Sequence, residues 1–319
     1  MRAFIFPGQG SQAVGMGKAL ADASVHAREV LQEVDDALGQ SLSRLMADGP
    51  AEELMLTENA QPAIMANAIA TLRVLEREGG MRLAEKCDYV AGHSLGEYTA
   101  LCAAGAFDLA TTARLLRTRG EAMQEAVPVG QGAMAVLLGC NLELAHVIAG
   151  AAVDAILAEG GEELVCTVAN DNDPTQVVIS GHLLAIERAV PLAKELGAKR
   201  ALLLPVSAPF HCALMQPAAE VMENALLDAD LRAPLVPVYC NVDAAPIASP
   251  GMIRVALVQQ VTGMVRWRES VLAMAAAGVT EFVEIGGKVL GPMVKRIVPD
   301  ASAISVVTMD DAEALAKAF

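Results

Sequence analysis

The sequence predicts an α/β protein: a parallel-sheet core with a small βαββαβ subdomain inserted into it. Three observations carry that class. Hydrophobic residues make up 54% of the 319 residues and aromatics only 3%, so the core is mostly Ala, Leu, Val and Met, a composition of compact α/β enzymes rather than β-sandwiches. Two short apolar runs, residues 3–6 and 88–91, each read as a buried strand ended by a glycine-containing turn. Between residues 131 and 204 the apolar pattern runs strand, helix, strand, strand, helix, strand, the ferredoxin-like order.

The elements follow from these signals. After the first strand, Pro7-Gly8 turns the chain and helical patterns continue to about Leu38. Residues 49–80 predict a short helix, a break at Pro62, and a long amphipathic helix stopped by Gly79-Gly80. The second strand leads through "GHSLG" into a helix over 95–104. Residues 109–126 form another. In the insertion, "GAMAVLLG", "LVCTVANDN", "TQVVISG" and "AKRALLLPV" are the strands, and the turn at 171–174 joins the middle two. Further on come a helix near 214–228, a strand at "VPVYCNV", helices near 252–261 and 267–277, and a strand at "EFVEIG". The resulting division is a core of residues 1–130 and 205–319 around a subdomain of residues 131–204.

Charge and cysteine usage narrow the function. The net charge is −15 with no basic stripe, which argues against nucleic acid as a partner. Six cysteines are scattered without a C-x-x-C pair, as expected of reduced thiols in a cytosolic protein. "MRAFIFPGQG" has no signal-peptide pattern, and no apolar run is long enough to span a membrane.

The chemistry starts at Gly92-His93-Ser94-Leu95-Gly96, a G-x-S-x-G between strand and helix. Glycines there let the chain turn sharply and expose the serine hydroxyl at a helix N-terminus, where the Leu95 N–H can meet an oxyanion. The competing reading is a serine that merely caps the helix. A serine nucleophile needs a base. Of the five histidines, His26 sits in a polar helix and His146 in the insertion's first helix, both read as surface residues, His182 at a turn, and His93 beside Ser94 but aimed away. His211, in the Pro-flanked loop "LPVSAPFHCALM", is the candidate base, against the alternative of a satisfied core histidine. No acid occupies an obvious third position; Asp243 is possible on position alone.

At about 100° per residue, Arg119 shares a helix face with Thr112, Leu115, Leu116, Ala122, Met123 and Ala126, all apolar except Thr112. Its fork matches a carboxylate two-on-two, so it pairs either with an internal acid or with an acid on a substrate. "FPGQGSQAVG" adds Gly8-x-Gly10-x-x-Ala13, a loose dinucleotide fingerprint. Against a nucleotide-binding oxidoreductase, the residues some twenty positions on read as helix and not as a second strand ending in an acid. The alternative use of this turn is an oxyanion N–H near Gln9.

Together "FPGQGSQ", "GHSLGEY", "RGEAMQEAVP", "NDNDPTQVVISG", "LPVSAPFHCALM" and "GKVL" resemble the malonyl-CoA:acyl carrier protein transacylases of fatty acid synthesis, nearly end to end. The resemblance implies an α/β-hydrolase-like core. It implies Ser94 as nucleophile, His211 as its general base, Arg119 as the partner of the malonyl carboxylate, and the backbone N–H groups of Gln9 and Leu95 as the oxyanion site. It also implies a histidine oriented by a backbone carbonyl, with Gln260 the best match and Gln259 close behind. It implies no metal or redox cofactor, malonyl-CoA as substrate, and an acyl carrier protein as partner. Two departures stand out. Phe210 precedes the histidine where the family often has a small polar residue, and "EIGGKVLGPM" lacks the proline of the usual "GPGKVL". Carrier proteins are acidic, so docking on a chain of this charge needs a local basic patch; Lys288, Lys295 and Arg296 are the candidates. The alternatives are a related transacylase of polyketide or malonate decarboxylase systems, and a serine acyl hydrolase, which would have little use for Arg119.

Overall fold

The computed structural model describes residues 1–206 and 208–319. Its strands are β1 (Arg2–Phe6), β2 (Tyr89–Gly92), β3 (Gly132–Leu138), β4 (Cys166–Asp173), β5 (Gln176–His182), β6 (Arg200–Leu203), β7 (Val238–Tyr239), β8 (Pro246–Ile247), β9 (Glu281–Ile285) and β10 (Ser302–Val306). They form two sheets.

The larger sheet has the order β10-β9-β1-β2-β7-β8, parallel throughout except at the β7–β8 edge. β1 lies inside it and is covered on both faces, which explains its unbroken apolar run. Phe4 and Phe6 point to one side, with Val90, Val283 and Ile285; Ala3 and Ile5 point to the other, against Trp267, Phe282 and Val294. Helices fill both layers.

The smaller sheet is antiparallel in the order β4-β5-β3-β6, with helices Leu142–Ala158 and Leu183–Glu195 on one face. Alternation along β3 divides its side chains. Ala135 and Leu137 pack under those helices, while Met134, Val136 and Leu138 turn toward a cleft above the larger sheet. β4 ties the two sheets together. Asp171 and Asp173 are fully buried; Asp171 accepts both Arg268 Nε contacts at 3.0 and 3.1 Å, and Asp173 meets Arg296 Nε at 2.8 Å. The Asp171 N–H also donates to the Val265 carbonyl at 3.0 Å.

Several expectations are corrected. Helix Thr57–Arg77 runs straight through Pro62. Proline there forgoes one backbone bond, at a cost of up to about 3 kcal/mol. Residues 59–72 are buried almost without interruption, and the backbone at Glu58 lies so close to Gly120 that a Cβ there would sit 2.5 Å from the Glu58 Cα. That packing holds the segment helical. "VPVYCNV" keeps only two residues in the sheet. The C-terminal helix Leu290–Ile297, strand β10 and helix Met309–Lys317 complete the larger sheet's edge; none was read from the sequence. The glycine-rich turn after β1 does not open a helix: the first one starts at Lys18, and helix Val25–Leu38 follows where a dinucleotide fold would place its second strand.

Candidate active site

The site lies beyond the C-terminal ends of β1 and β2, where parallel α/β sheets place their ligands. Ser94 sits between β2 and helix Leu95–Ala103 with φ 54° and ψ −113°, a strained conformation for a non-glycine residue. The flanking glycines make it possible. A Cβ on Gly92 would fall 1.9 Å from the Gly96 backbone, and one on Gly96 would fall 2.3 Å from the Phe6 carbonyl oxygen. The turn is therefore packed directly on the end of β1.

Ser94 Oγ lies 2.8 Å from His211 Nε2. His211 Nδ1 lies 2.8 Å from the Gln260 carbonyl oxygen. That contact makes Nδ1 the protonated nitrogen and leaves Nε2 as the acceptor facing the serine. Among the described residues no Asp or Glu reaches His211. Asp243 instead accepts a weak contact from Cys240 Sγ at 3.6 Å, and the Gln259 carbonyl is spent on Gly263 N–H at 2.8 Å. Burial, reinforced by the nearby Arg119 charge, pushes the His211 imidazole down to about 3. It is thus neutral at physiological pH, the state a base requires.

Arg119 is 1% exposed and reaches the same point from helix Leu109–Glu125. Its Nη2 donates to Ser94 Oγ at 3.1 Å and to Gln260 Oε1 at 2.9 Å; its Nη1 donates to Gln61 Oε1 at 2.7 Å. Its guanidinium carbon stands 5.6 Å from the Tyr98 ring centre. Among the described residues no carboxylate lies within ion-pair distance of it. A buried cation held only by neutral oxygens is an incomplete pairing.

Under the serine lies a polar bed of which sequence reasoning named only Gln260. Asn241 Oδ1 accepts the Ser94 N–H at 2.8 Å, and Asn241 Nδ2 donates to the Gly92 carbonyl at 2.7 Å. Gln260 Nε2 donates to the Ser94 carbonyl at 3.0 Å and to Glu97 Oε2 at 2.7 Å. Glu97, buried, also accepts the Asn241 N–H at 3.0 Å. Burial raises its carboxyl to about 7 against the pull of these donors and of Arg119. Gln61 was missed too, since an amide on a buried helix face has no spacing signature. Glu97 carried a usable signal: an acid one turn after Ser94 in an otherwise apolar helix.

The remaining candidates are placed as follows. Gln9 and Leu95 line the cavity beside Ser94, and among the described residues neither backbone N–H is spent on an internal hydrogen bond. Gly8 lets that loop close in, since a Cβ there would meet the His93 carbonyl oxygen at 2.7 Å. His93 faces away from the serine, its Nε2 2.8 Å from Asn172 Oδ1. His182 Nδ1 accepts the Val165 N–H at 2.8 Å. Lys288 is exposed beside the cavity-lining Val289. Lys295 Nζ is tied to the carbonyls of Pro299 and Ala301, and Arg296 to Asp173.

The cavity holds about 400 Å³ and is walled by both sheets, with Gln9, Leu95 and Arg119 below and Met134, Val136 and Val178 above. Phe210 is buried and lines it. Its mostly apolar lining around Ser94, His211 and Arg119 suits a small acid carried on a larger leaving group.

Comparison with known proteins places this geometry in context. Residues 3–301 match the family model described as acyl transferase domain. The malonyl CoA-acyl carrier protein transacylase of Escherichia coli (strain K12) is 46% identical over 302 residues, covering 94% of each chain. The crystal structure of an acyl-carrier-protein S-malonyltransferase from Bartonella henselae superimposes with a TM-score of 0.94 at 52% identity, covering 99% of this chain and 98% of that one. A malonyl-transacylase solved in complex with a type II polyketide acyl-carrier protein gives a TM-score of 0.93 at 40% identity, covering 100% and 99%.

Proposed function

The chain belongs to the acyl transferase domain family, and from that premise we propose that it moves a malonyl group from coenzyme A to the phosphopantetheine thiol of an acyl carrier protein through an acyl-serine. The observation that carries this reading is Arg119: a buried guanidinium hydrogen-bonded to the Ser94 hydroxyl and lacking any acidic partner among the described residues. A free carboxylate two carbons from a thioester carbonyl completes it.

In the first half-reaction His211 Nε2 takes the Ser94 proton as Oγ attacks the thioester carbon. The Gln260 carbonyl holds the imidazole and steadies the imidazolium that forms, the role an acid plays in an ordinary triad. The N–H groups of Gln9 and Leu95 receive the oxyanion. The carbon–sulfur bond breaks, and His211 returns the proton to the departing thiolate. The second half-reaction reverses these steps with the carrier thiol as nucleophile. Neutral His211 in the resting state and an oxyanion site beside a pre-strained serine both support this order.

The same premise extends to architecture and place. We read residues 1–130 and 205–319 as an α/β-hydrolase-like core and residues 131–204 as a ferredoxin-like subdomain; the serine at a strand–helix turn of a parallel sheet supports the first. Six unpaired cysteines support a reducing, cytoplasmic setting, and among the described residues no helix is long and apolar enough to cross a membrane. A serine hydrolase of uncharged esters is the poorer fit, because it would leave Arg119 without a use.

The test is the intact mass of the protein after brief mixing with malonyl-CoA. Wild type is expected to gain one malonyl group, Ser94→Ala none, and Arg119→Ala to load roughly a hundredfold more slowly. No adduct on wild type while deacylation is slow would overturn the reading.

A further inference from the structure

Gln260 is fully buried, and the two ends of its amide face opposite kinds of group. Its Nε2 has three acceptors around it: Glu97 Oε2 at 2.7 Å, the Ser94 carbonyl at 3.0 Å and Asn241 Oδ1 at 3.2 Å. Its Oε1 accepts from Arg119 Nη2 at 2.9 Å. The ends of an amide are nearly the same shape but opposite in hydrogen-bond sense. Were this one turned over, its NH₂ would face the guanidinium, donor against donor, and Arg119 would lose a bond and swing. The closest contact opposing that turn is Glu97, and Glu97 is not free to yield because the Asn241 N–H grips the same oxygen at 3.0 Å.

The arrangement also disposes of a charge problem. Glu97 and Arg119 attract one another, yet the Gln260 amide stands between them. Had Glu97 met the guanidinium directly, its fork would be spent. Held one amide away, Glu97 anchors the Gln260 amide and leaves the guanidinium without a direct carboxylate partner. Arg119 makes three donations with five N–H groups; its Nε–H and one Nη1–H remain unspent, and none of the three acceptors it meets is an acid.

We propose that Glu97 is a positioning residue for acyl selection: acting through Gln260, it holds Arg119 in the orientation that receives the substrate carboxylate, without occupying the fork itself. This rests on the transacylase reading above. It goes beyond it in assigning selectivity to a side chain that touches neither substrate nor reacting atoms.

The experiment compares two conservative variants with two acyl donors. Glu97→Asp keeps the charge but withdraws the acceptor by one methylene. Glu97→Gln keeps the reach and can present an oxygen at the same point. Ser94 is loaded from malonyl-CoA, and separately from p-nitrophenyl acetate, whose acyl group carries no acid; adducts are timed by mass with Ser94→Ala as background. Glu97→Asp is expected to slow malonyl loading about tenfold or more and acetyl loading by no more than about threefold, the scale of effect that a misplacement of one bond length produces. Glu97→Gln is expected to restore most of the malonyl preference. A merely structural role would slow both donors in proportion, and that result, or an unchanged preference in Glu97→Asp, overturns the proposal. Wild type that takes acetyl but no malonyl group overturns the transacylase reading itself, a different outcome from either.

Discussion

In the proposed mechanism the proton chemistry rests on one residue whose ionisation is set by its surroundings. His211 is buried, faces Arg119, and has its imidazole pushed down from 6.5 to about 3 in the folded chain. It therefore stays neutral, and able to take the serine proton, well below the usual histidine range. Malonyl loading of Ser94 is expected to stay flat as pH falls from about 8 to about 5, where an ordinary imidazole would already be mostly protonated. A rate profile with its midpoint near 6.5 would show that the histidine is not held this way. The same shift has a stability consequence. Below 6.5 the unfolded chain takes up a proton that the folded chain refuses, so the contribution of His211 is intact above that value and is eroded as pH falls toward 3. At this scale the sequence was informative where chemistry forces a residue type. Ser94, His211 and Arg119 each stood out by motif, elimination or an out-of-place charge. Gln61, Asn241 and most of the bed beneath the serine did not, because a neutral amide is unremarkable until its partners are known.

At the scale of elements, the strand–turn–helix at Ser94 was legible because glycine spacing reports backbone geometry directly. It also yields a sharp contrast between two glycines. Gly96 stands 2.3 Å, at its would-be Cβ, from the Phe6 carbonyl oxygen, whereas at Gly150, within helix Leu142–Ala158, a Cβ would meet nothing within 4 Å among the described residues beyond its own helix backbone. Gly96→Ala is expected to lose about 3 kcal/mol or more and to slow acylation, since backbone must move. Gly150→Ala is expected to gain up to about 1 kcal/mol from helix propensity alone. Urea denaturation of both variants checks this; equal effects would mean that the elbow has slack. Other elements were hidden for physical reasons. Pro62 signals a break by local rules, but the burial of residues 59–72 overrides them. β7 shrinks to two residues because the chain leaves the sheet at Cys240–Asn241 to reach the serine. β10 was missed because "SAISV" is short and half-exposed at a sheet edge, so it lacks the apolar run that marked β1.

At the scale of the molecule, the cavity exists because two sheets are held apart and then clasped. Asp171–Arg268 and Asp173–Arg296 fasten β4 to the helices beside the larger sheet, so the wall carrying Met134 and Val136 keeps its distance from Ser94. This gives the basic residues near the C-terminus different duties, although the sequence presents them as one cluster. Arg296 serves the clasp, and Lys295 holds the carbonyls of Pro299 and Ala301. Lys288 is exposed next to the cavity-lining Val289, lines a neighbouring cleft, and among the described residues makes no ion pair or hydrogen bond, although its charge reaches Asp311. Under the proposed function an acidic carrier protein must approach a chain of net charge −15, so long-range repulsion has to be overcome locally. Of the three candidates, Lys288 is the one whose charge is not tied to a neighbouring carbonyl or carboxylate oxygen. Lys288→Glu is expected to raise the KM for carrier protein by about fivefold to tenfold, with the effect shrinking as salt is added, and to leave the loading of Ser94 from malonyl-CoA close to wild type. Arg296→Met is expected to behave otherwise: it strands the buried Asp173 carboxylate, lowers stability by about 2 kcal/mol given the partial exposure of the arginine, and slows loading and transfer together as the wall loosens. If Arg296→Met instead leaves stability intact and raises only the carrier KM, the clasp is not what that ion pair provides. If Lys288→Glu changes neither constant, the carrier docks on another face.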